Sequence, residues 1–110
     1  MARKPPRLNV VITPQAQRDI NRIWDYNCDQ YGPDHADSYI NFLDKETAKL
    51  QTEYEKGKIA ATCPELRYQL IRKGRGHGYV VIYEVVGSSV EVLHYYHTAQ
   101  DWQGKLARGE

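Results

Sequence analysis

Near the start of the chain Leu8, Val10 and Ile12 alternate with Asn9, Val11 and Thr13, the period of two that a half-buried strand requires. At Thr13-Pro14 the period changes. Threonine suits a helix cap, and proline is tolerated in the first turn, where its missing N–H removes no ladder bond. From there Ala16, Ile20, Ile23, Trp24, Cys28 and Tyr31 fall on one helical stripe, which Gly32-Pro33 ends. A second stripe of Ala36, Tyr39, Ile40, Leu43, Leu50 and Tyr54 predicts another helix from Pro33 to Gly57. So short a break implies a helical hairpin whose stripes face a common layer. Lys58 to Glu65 reads as a loop.

Three strands are predicted next: Leu66–Lys73, Tyr79–Val86 and Val90–His97, rich in β-branched and aromatic residues. Glycine-bearing turns, Gly74-Arg75-Gly76-His77-Gly78 and Gly87-Ser88-Ser89, make them an antiparallel meander. Counting reversals of direction, the first strand can join any downward-running neighbour antiparallel. The expected class is α+β: N-terminal strand, helical hairpin, then a three-stranded antiparallel meander in two layers.

The meander is apolar on both sides. Tyr79, Val81, Tyr83 and Val85 point one way and Val80, Ile82 and Val86 the other, while Val90, Val92 and Tyr96 oppose Leu93 and Tyr95. The helices can cover one side only. The other needs a bound partner, the favoured reading, or this chain's own tail around Trp102 and Leu106. The partner reading predicts a free chain that self-associates.

At 110 residues and 41% hydrophobic positions, the chain fits one domain over 8–110 behind a disordered basic lead, 1–7. Cys28 and Cys63 share no CxxC spacing, so a reduced, cytoplasmic compartment is expected, with no disulfide framework. The start MARKPPRLN lacks a signal-peptide core, and no apolar run approaches a membrane span. The formal charge is +1. Within it, Arg67, Arg72, Lys73 and Arg75 form the only dense basic cluster, a candidate for an anionic or target surface or else a solvated face.

The Gly74-x-Gly76-x-Gly78 string precedes a strand instead of a helix, so a hairpin turn explains it better than a phosphate loop. His94 and His97 lie three apart in a strand, pointing to opposite faces, and with His35 and His77 make no metal signature; no cofactor is expected. Internal transfer on RNA would need a proton acceptor, a donor and phosphate-facing cations. His97 and Tyr95 or Tyr96, with Arg72 and Arg75 nearby, are the residues that could supply them.

Three strings carry a family resemblance: VVITPQAQRDINRIWDYNCDQYG, LRYQLIRKGRGHGYVVIYEV and VEVLHYYHTAQDW, together spanning about residues 8–102. They resemble the RelE/ParE superfamily of bacterial toxins, in particular its ParE branch. The resemblance implies a toxin neutralised by a cognate antitoxin that wraps across it. It further implies poisoning of DNA gyrase by binding, without chemistry. Tyr79, Val81, Tyr83, Leu93 and Tyr95 would then face the antitoxin, and Arg67, Arg72, Lys73 and Arg75 the target. The RelE relatives instead cut messenger RNA on the ribosome, an alternative that would enlist Arg72, Tyr96 and His97. A third reading is a non-toxic remnant that still binds antitoxin. The chain departs from both branches: His97-Thr98-Ala99-Gln100-Asp101 lacks the arginine of the ParE exit strand, and Lys56 to Arg67 holds only two lysines.

Overall fold

In the computed structural model, which describes residues 5–110, β1 (Asn9–Ile12) leads directly into α1 (Pro14–Tyr31). The turn between them is held by Thr13. Its Oγ1 accepts from the Ala16 amide at 3.3 Å, capping α1, and donates to the Val92 carbonyl at 2.7 Å. Gly32, at φ +93°, ends α1 and hands the chain to α2 (Pro33–Ala48). The indole of Trp24 donates to Asp37 at 2.8 Å, tying the two helices together. The second predicted helix is broken at Lys49: α3 (Leu50–Glu53) and a 3-10 turn (Tyr54–Lys56) carry the chain on to β2 (Lys58–Ile59). Then come β3 (Arg67–Ile71), β4 (Tyr79–Val86), β5 (Ser89–His97) and a short α4 (Trp102–Ala107).

The α+β class stands, but the sheet has five strands in the order β1-β5-β4-β3-β2. β1 pairs parallel to β5, against the antiparallel expectation. The cause is β2, which lies inside the segment read as a loop. Its antiparallel pairing with β3 adds one reversal of direction between the helices and the meander. A two-residue strand is too short for alternation to reveal.

Of the predicted lead, residues 1–4 lie outside the described residues. Pro6 accepts a hydrogen bond from the Tyr54 hydroxyl at 2.9 Å.

Two apolar clusters sandwich the sheet. Between the sheet and the helical hairpin lie Ala16, Ile20, Ile23, Leu43, Leu50, Val81, Tyr83, Val90, Val92 and Tyr95. On the opposite side Val80, Ile82 and Tyr96 meet Ala60 and Leu106, with Cys63, Leu66, Tyr68 and Trp102 packed around them. The second side is thus covered over β3, β4 and the end of β5 by the tail and the Ala60–Leu66 loop, and the favoured reading of a partner there is corrected. With that cover in place, the physical ground for self-association of the free chain is removed.

Strand β5 holds a further correction. Tyr83 pairs with Val92 but Ile82 with His94, leaving Leu93 as an extra residue in a β-bulge. The bulge reverses the alternation. Val90, Val92 and Tyr95 therefore share the helix side, and Tyr96 joins Val80 and Ile82 on the other. Plain counting of every second residue placed Tyr95 and Tyr96 the wrong way round.

Candidate functional site

β1 has four residues and β5 nine, so β1 stops at the partner of Val92 and the rest of β5 has no strand on that side. An open edge leaves backbone N–H groups to be satisfied by other means. Here side chains take the place of the missing strand. The Tyr95 amide donates to Asp19 Oδ2 at 3.0 Å, and the His97 amide to Gln100 Oε1 at 3.2 Å. At this bare end of β5 a cleft of about 420 Å³ opens between α1, β5 and the tail.

Beside the apolar Ile23, the α1 wall of the cleft presents Gln15, Asp19, Arg22 and Tyr26, spaced four, three and four apart along one helical face. This polar stripe was missed in the sequence because it flanks the apolar stripe; its spacing was the available signal. His94, Tyr95, Tyr96 and His97 line the β5 wall, and Lys105 and Glu110 close the cleft from the tail. At a sheet edge both faces of a strand are within reach, so His94 and His97 border one cleft although their side chains alternate.

Asp19 is the buried anchor. Besides the Tyr95 amide, its carboxylate accepts from Gln15 Nε2 at 3.0 Å, and His94 Nδ1 and Arg22 lie 3.5 and 3.7 Å away. Burial alone would push this acid up, but the hydrogen bonds of His94, Tyr95 and Gln15 hold it below the usual carboxylate value. A carboxyl depressed by folding stabilises the native state above its unfolded value near ~3.9 and loses that contribution as pH falls through the folded value. Asp19→Asn is therefore expected to lose less stability on acidification than the parent. Urea midpoints between about pH 6 and pH 3 check this; parallel curves would refute it.

His97 is set differently. Its Nδ1 accepts from the Ala99 amide at 3.1 Å, so the neutral ring carries its proton on Nε2. Burial and the nearby His77 ring lower its pKa, which keeps it in that neutral form. His97 also packs edge-on against Tyr79, 5.2 Å between centroids, in a cross-strand pair. A second hollow of about 360 Å³ shares Tyr26, Tyr79 and His97 and is bordered by His35, His77 and Lys73. All four histidines thus line two adjoining hollows.

The predicted basic cluster is divided. Arg72, Lys73 and Arg75 are exposed where β3 turns into β4, in a hairpin whose Gly74 and Gly76 take φ of +79° and +95°. Arg72 reaches toward the Gly76 carbonyl at 3.5 Å, and the Lys73 ammonium sits 5.8 Å from the Phe42 ring centroid. Arg67 stands at the far end of β3, roughly 16 Å from Arg72 at ~3.3 Å per residue, and donates to the Glu55 carbonyl at 2.8 Å. Four residues close in sequence become three plus one.

The residues considered for RNA chemistry do not converge either. Tyr96 is buried on the α4 side, its hydroxyl donates to the Glu110 carbonyl, and burial first, then nearby acids, pushes its pKa up to about 12. His97 is on the opposite side of β5, and Arg72 lies out in the hairpin. Of the residues expected to face an antitoxin, Val81, Tyr83 and Tyr95 are buried beneath the helices and Tyr79 is half-buried there, while Leu93 is the half-buried bulge residue. They form no exposed surface. Val11, Val85 and Val86 at one end of the sheet, and Ile59 and Leu70 near the β2 edge, are the exposed apolar residues of the strands.

Comparison with known proteins fits this arrangement. The family model described as the ParE toxin of type II toxin-antitoxin systems, parDE, matches residues 10–102. The chain belongs to the ParE toxin family. Among solved structures, a chain of a chromosomal ParDE toxin–antitoxin system from P. aeruginosa is similar, with a TM-score of 0.71 at 18% identity. The match covers 81% of this chain and 94% of that one, and at such identity it speaks for the shared fold. No curated protein matches the chain significantly. The family match spans β1 through the first residue of α4, so this ParE-family chain carries the cleft, the hairpin and the five-stranded sheet within or beside the matched region. No helix of the described residues is long and apolar enough to cross a membrane.

Proposed function

We propose that this ParE-family chain is a toxin that inhibits DNA gyrase by binding, and that a cognate antitoxin neutralises it in the cytoplasm. The observation that carries the reading is the family match over residues 10–102. The ParDE system named for the P. aeruginosa structure supports an antitoxin partner for this chain as well. A binding mode, as opposed to RNA cleavage, is supported by the separation of Arg72, Tyr96 and His97 described above. Arg72, Lys73 and Arg75 at the exposed hairpin are the target-facing group, with Arg67 held apart at the other end of β3. For the antitoxin, the exposed apolar positions Val11, Val85, Val86, Ile59 and Leu70 replace the buried set as the contact surface.

The test is a supercoiling assay with purified gyrase and plasmid. Accumulation of linear plasmid with the parent chain, and its loss in the double variant Arg72→Glu/Arg75→Glu, is the expected result. Antitoxin affinity should stay within about twofold in that variant, because Val11, Val85, Val86 and Ile59 lie at the far end of the strands from the hairpin and only Leu70 is near it. Cleavage of ribosome-bound message without any effect on gyrase would replace this reading with the ribonuclease one. A folded chain inert in both assays would leave only an antitoxin-binding remnant.

A further inference from the structure

We propose that the cleft at the open edge of β5 binds a single-stranded segment of nucleic acid, taking one unpaired base against Tyr26 and the adjoining phosphates between Arg22 and Lys105. The inference is independent of the gyrase reading, because it concerns direct binding by the isolated chain. It starts from the charges that remain available in the cleft. Asp19 is occupied by the Tyr95 amide, Gln15 and His94, with Arg22 standing off at 3.7 Å, and the Glu110 side chain pairs with Arg108. Arg22 keeps a side chain that is 74% exposed, and Lys105 enters no ion pair among the described residues. One stands on the helical wall and the other on the tail wall, so a ligand between them meets cations from both sides.

Hydrogen-bonding capacity points the same way. With Nδ1 of His97 committed to the Ala99 amide, its Nε2–H is the ring donor left over, and it needs no protonation to donate. His94 has its Nδ1 directed at Asp19, leaving Nε2 uncommitted. Donors and cations with their acids already occupied suit a phosphate better than a cation or a neutral sugar.

The aromatic element is Tyr26, 56% exposed on the rim although it belongs to a helix with an apolar stripe to spare. An exposed tyrosine over a cationic groove is the stacking arrangement by which single strands are held without sequence readout. A paired base offers no free face to it, and a chain of acidic residues such as poly-glutamate has no ring to stack. The volume of about 420 Å³ lies in the range of small-ligand sites.

The experiment is fluorescence anisotropy of the full chain with labelled ten-residue deoxythymidine and uridine strands at low salt. The parent should bind, and Tyr26→Ala should weaken binding about tenfold. The double variant Arg22→Ala/Lys105→Ala should lower the salt slope by about 1.4, at ~0.7 per single-strand phosphate contact. Lys45→Ala, on the exposed face of α2 and outside both hollows, should leave affinity unchanged. All four side chains are exposed or half-exposed, and circular dichroism establishes that each variant folds. Three results would overturn the proposal: no binding by the parent, equal binding of a duplex or of poly-glutamate, or indifference to Tyr26→Ala.

Discussion

Tyr83→Ala is expected to lower the unfolding free energy by about 3–5 kcal/mol, the range for removing a buried aromatic side chain. Tyr83 has no exposed surface, and its ring lies between the sheet and the helical hairpin among Val81, Val92 and Leu50. Its hydroxyl does separate work. It donates to the Tyr54 carbonyl at 2.7 Å, where the 3-10 turn begins, and Gln69 Nε2 reaches it at 3.4 Å. The phenol also stands so close to Gly57 that a Cβ there would overlap it, which explains glycine at the entry to β2. Tyr83→Phe keeps the ring and leaves the Tyr54 carbonyl without this donor, so a smaller loss of about 1–3 kcal/mol is expected. Urea unfolding of both variants separates the two contributions. Equal losses would mean that the ring's packing contributes little, contrary to the burial. For a domain with a total stability of ~5–15 kcal/mol, a loss of this size is a large share of the whole, and the alanine variant should melt at a markedly lower temperature.

Removal of α4 is the second large effect. Truncation after Gln100 deletes Trp102, whose ring lies 4.6 Å from that of Tyr68, and Leu106, buried against Val80, Ile82 and Tyr96. It also removes the Glu110 carbonyl that accepts from the Tyr96 hydroxyl. The apolar outer side of β3, β4 and β5 would then face water, and self-association or binding of a hydrophobic dye should follow. The full chain should remain monomeric at the same concentration. Leu106→Ala isolates the packing contribution and should cost about 2–5 kcal/mol, towards the lower end because a short terminal helix can readjust. Size-exclusion chromatography distinguishes the outcomes: a truncated chain that stays monomeric and binds no dye would show that α4 is dispensable as cover.

These two effects bear on partners as well. With its second sheet face covered by its own tail, the chain does not need an antitoxin to hide a bare apolar layer. The apolar strand residues the fold leaves exposed, and to which the proposed antitoxin contact is assigned, are the valines at one end of the sheet and Ile59 and Leu70 near the other edge. The hairpin arginines and lysine lie at the opposite end of the strands from all of these but Leu70, which is why target and antitoxin binding are expected to respond to different substitutions.

Local chemistry was enough to place α1 and the limits of β4, because helix caps, glycine turns and apolar periods act between residues a few positions apart. The string Thr13-Pro14 marked the start of α1, and the strands on either side of Gly74–Gly78 were legible from their composition. What depended on residues far apart was not legible. Two residues of β2 changed the direction of β1 relative to β5, and one bulge at Leu93 exchanged the sides of Tyr95 and Tyr96. Asp19 became a cap for a strand edge 76 positions away. Arg67 left the group of cations it belongs to in sequence. The sequence by itself determined the helical hairpin, the meander and the family, but neither the break at Lys49 nor α4. Only the tertiary structure decided which face is covered, where an edge is left open and which charges meet there, because those depend on the order in which the strands pair, and pairing is settled by contacts between distant segments.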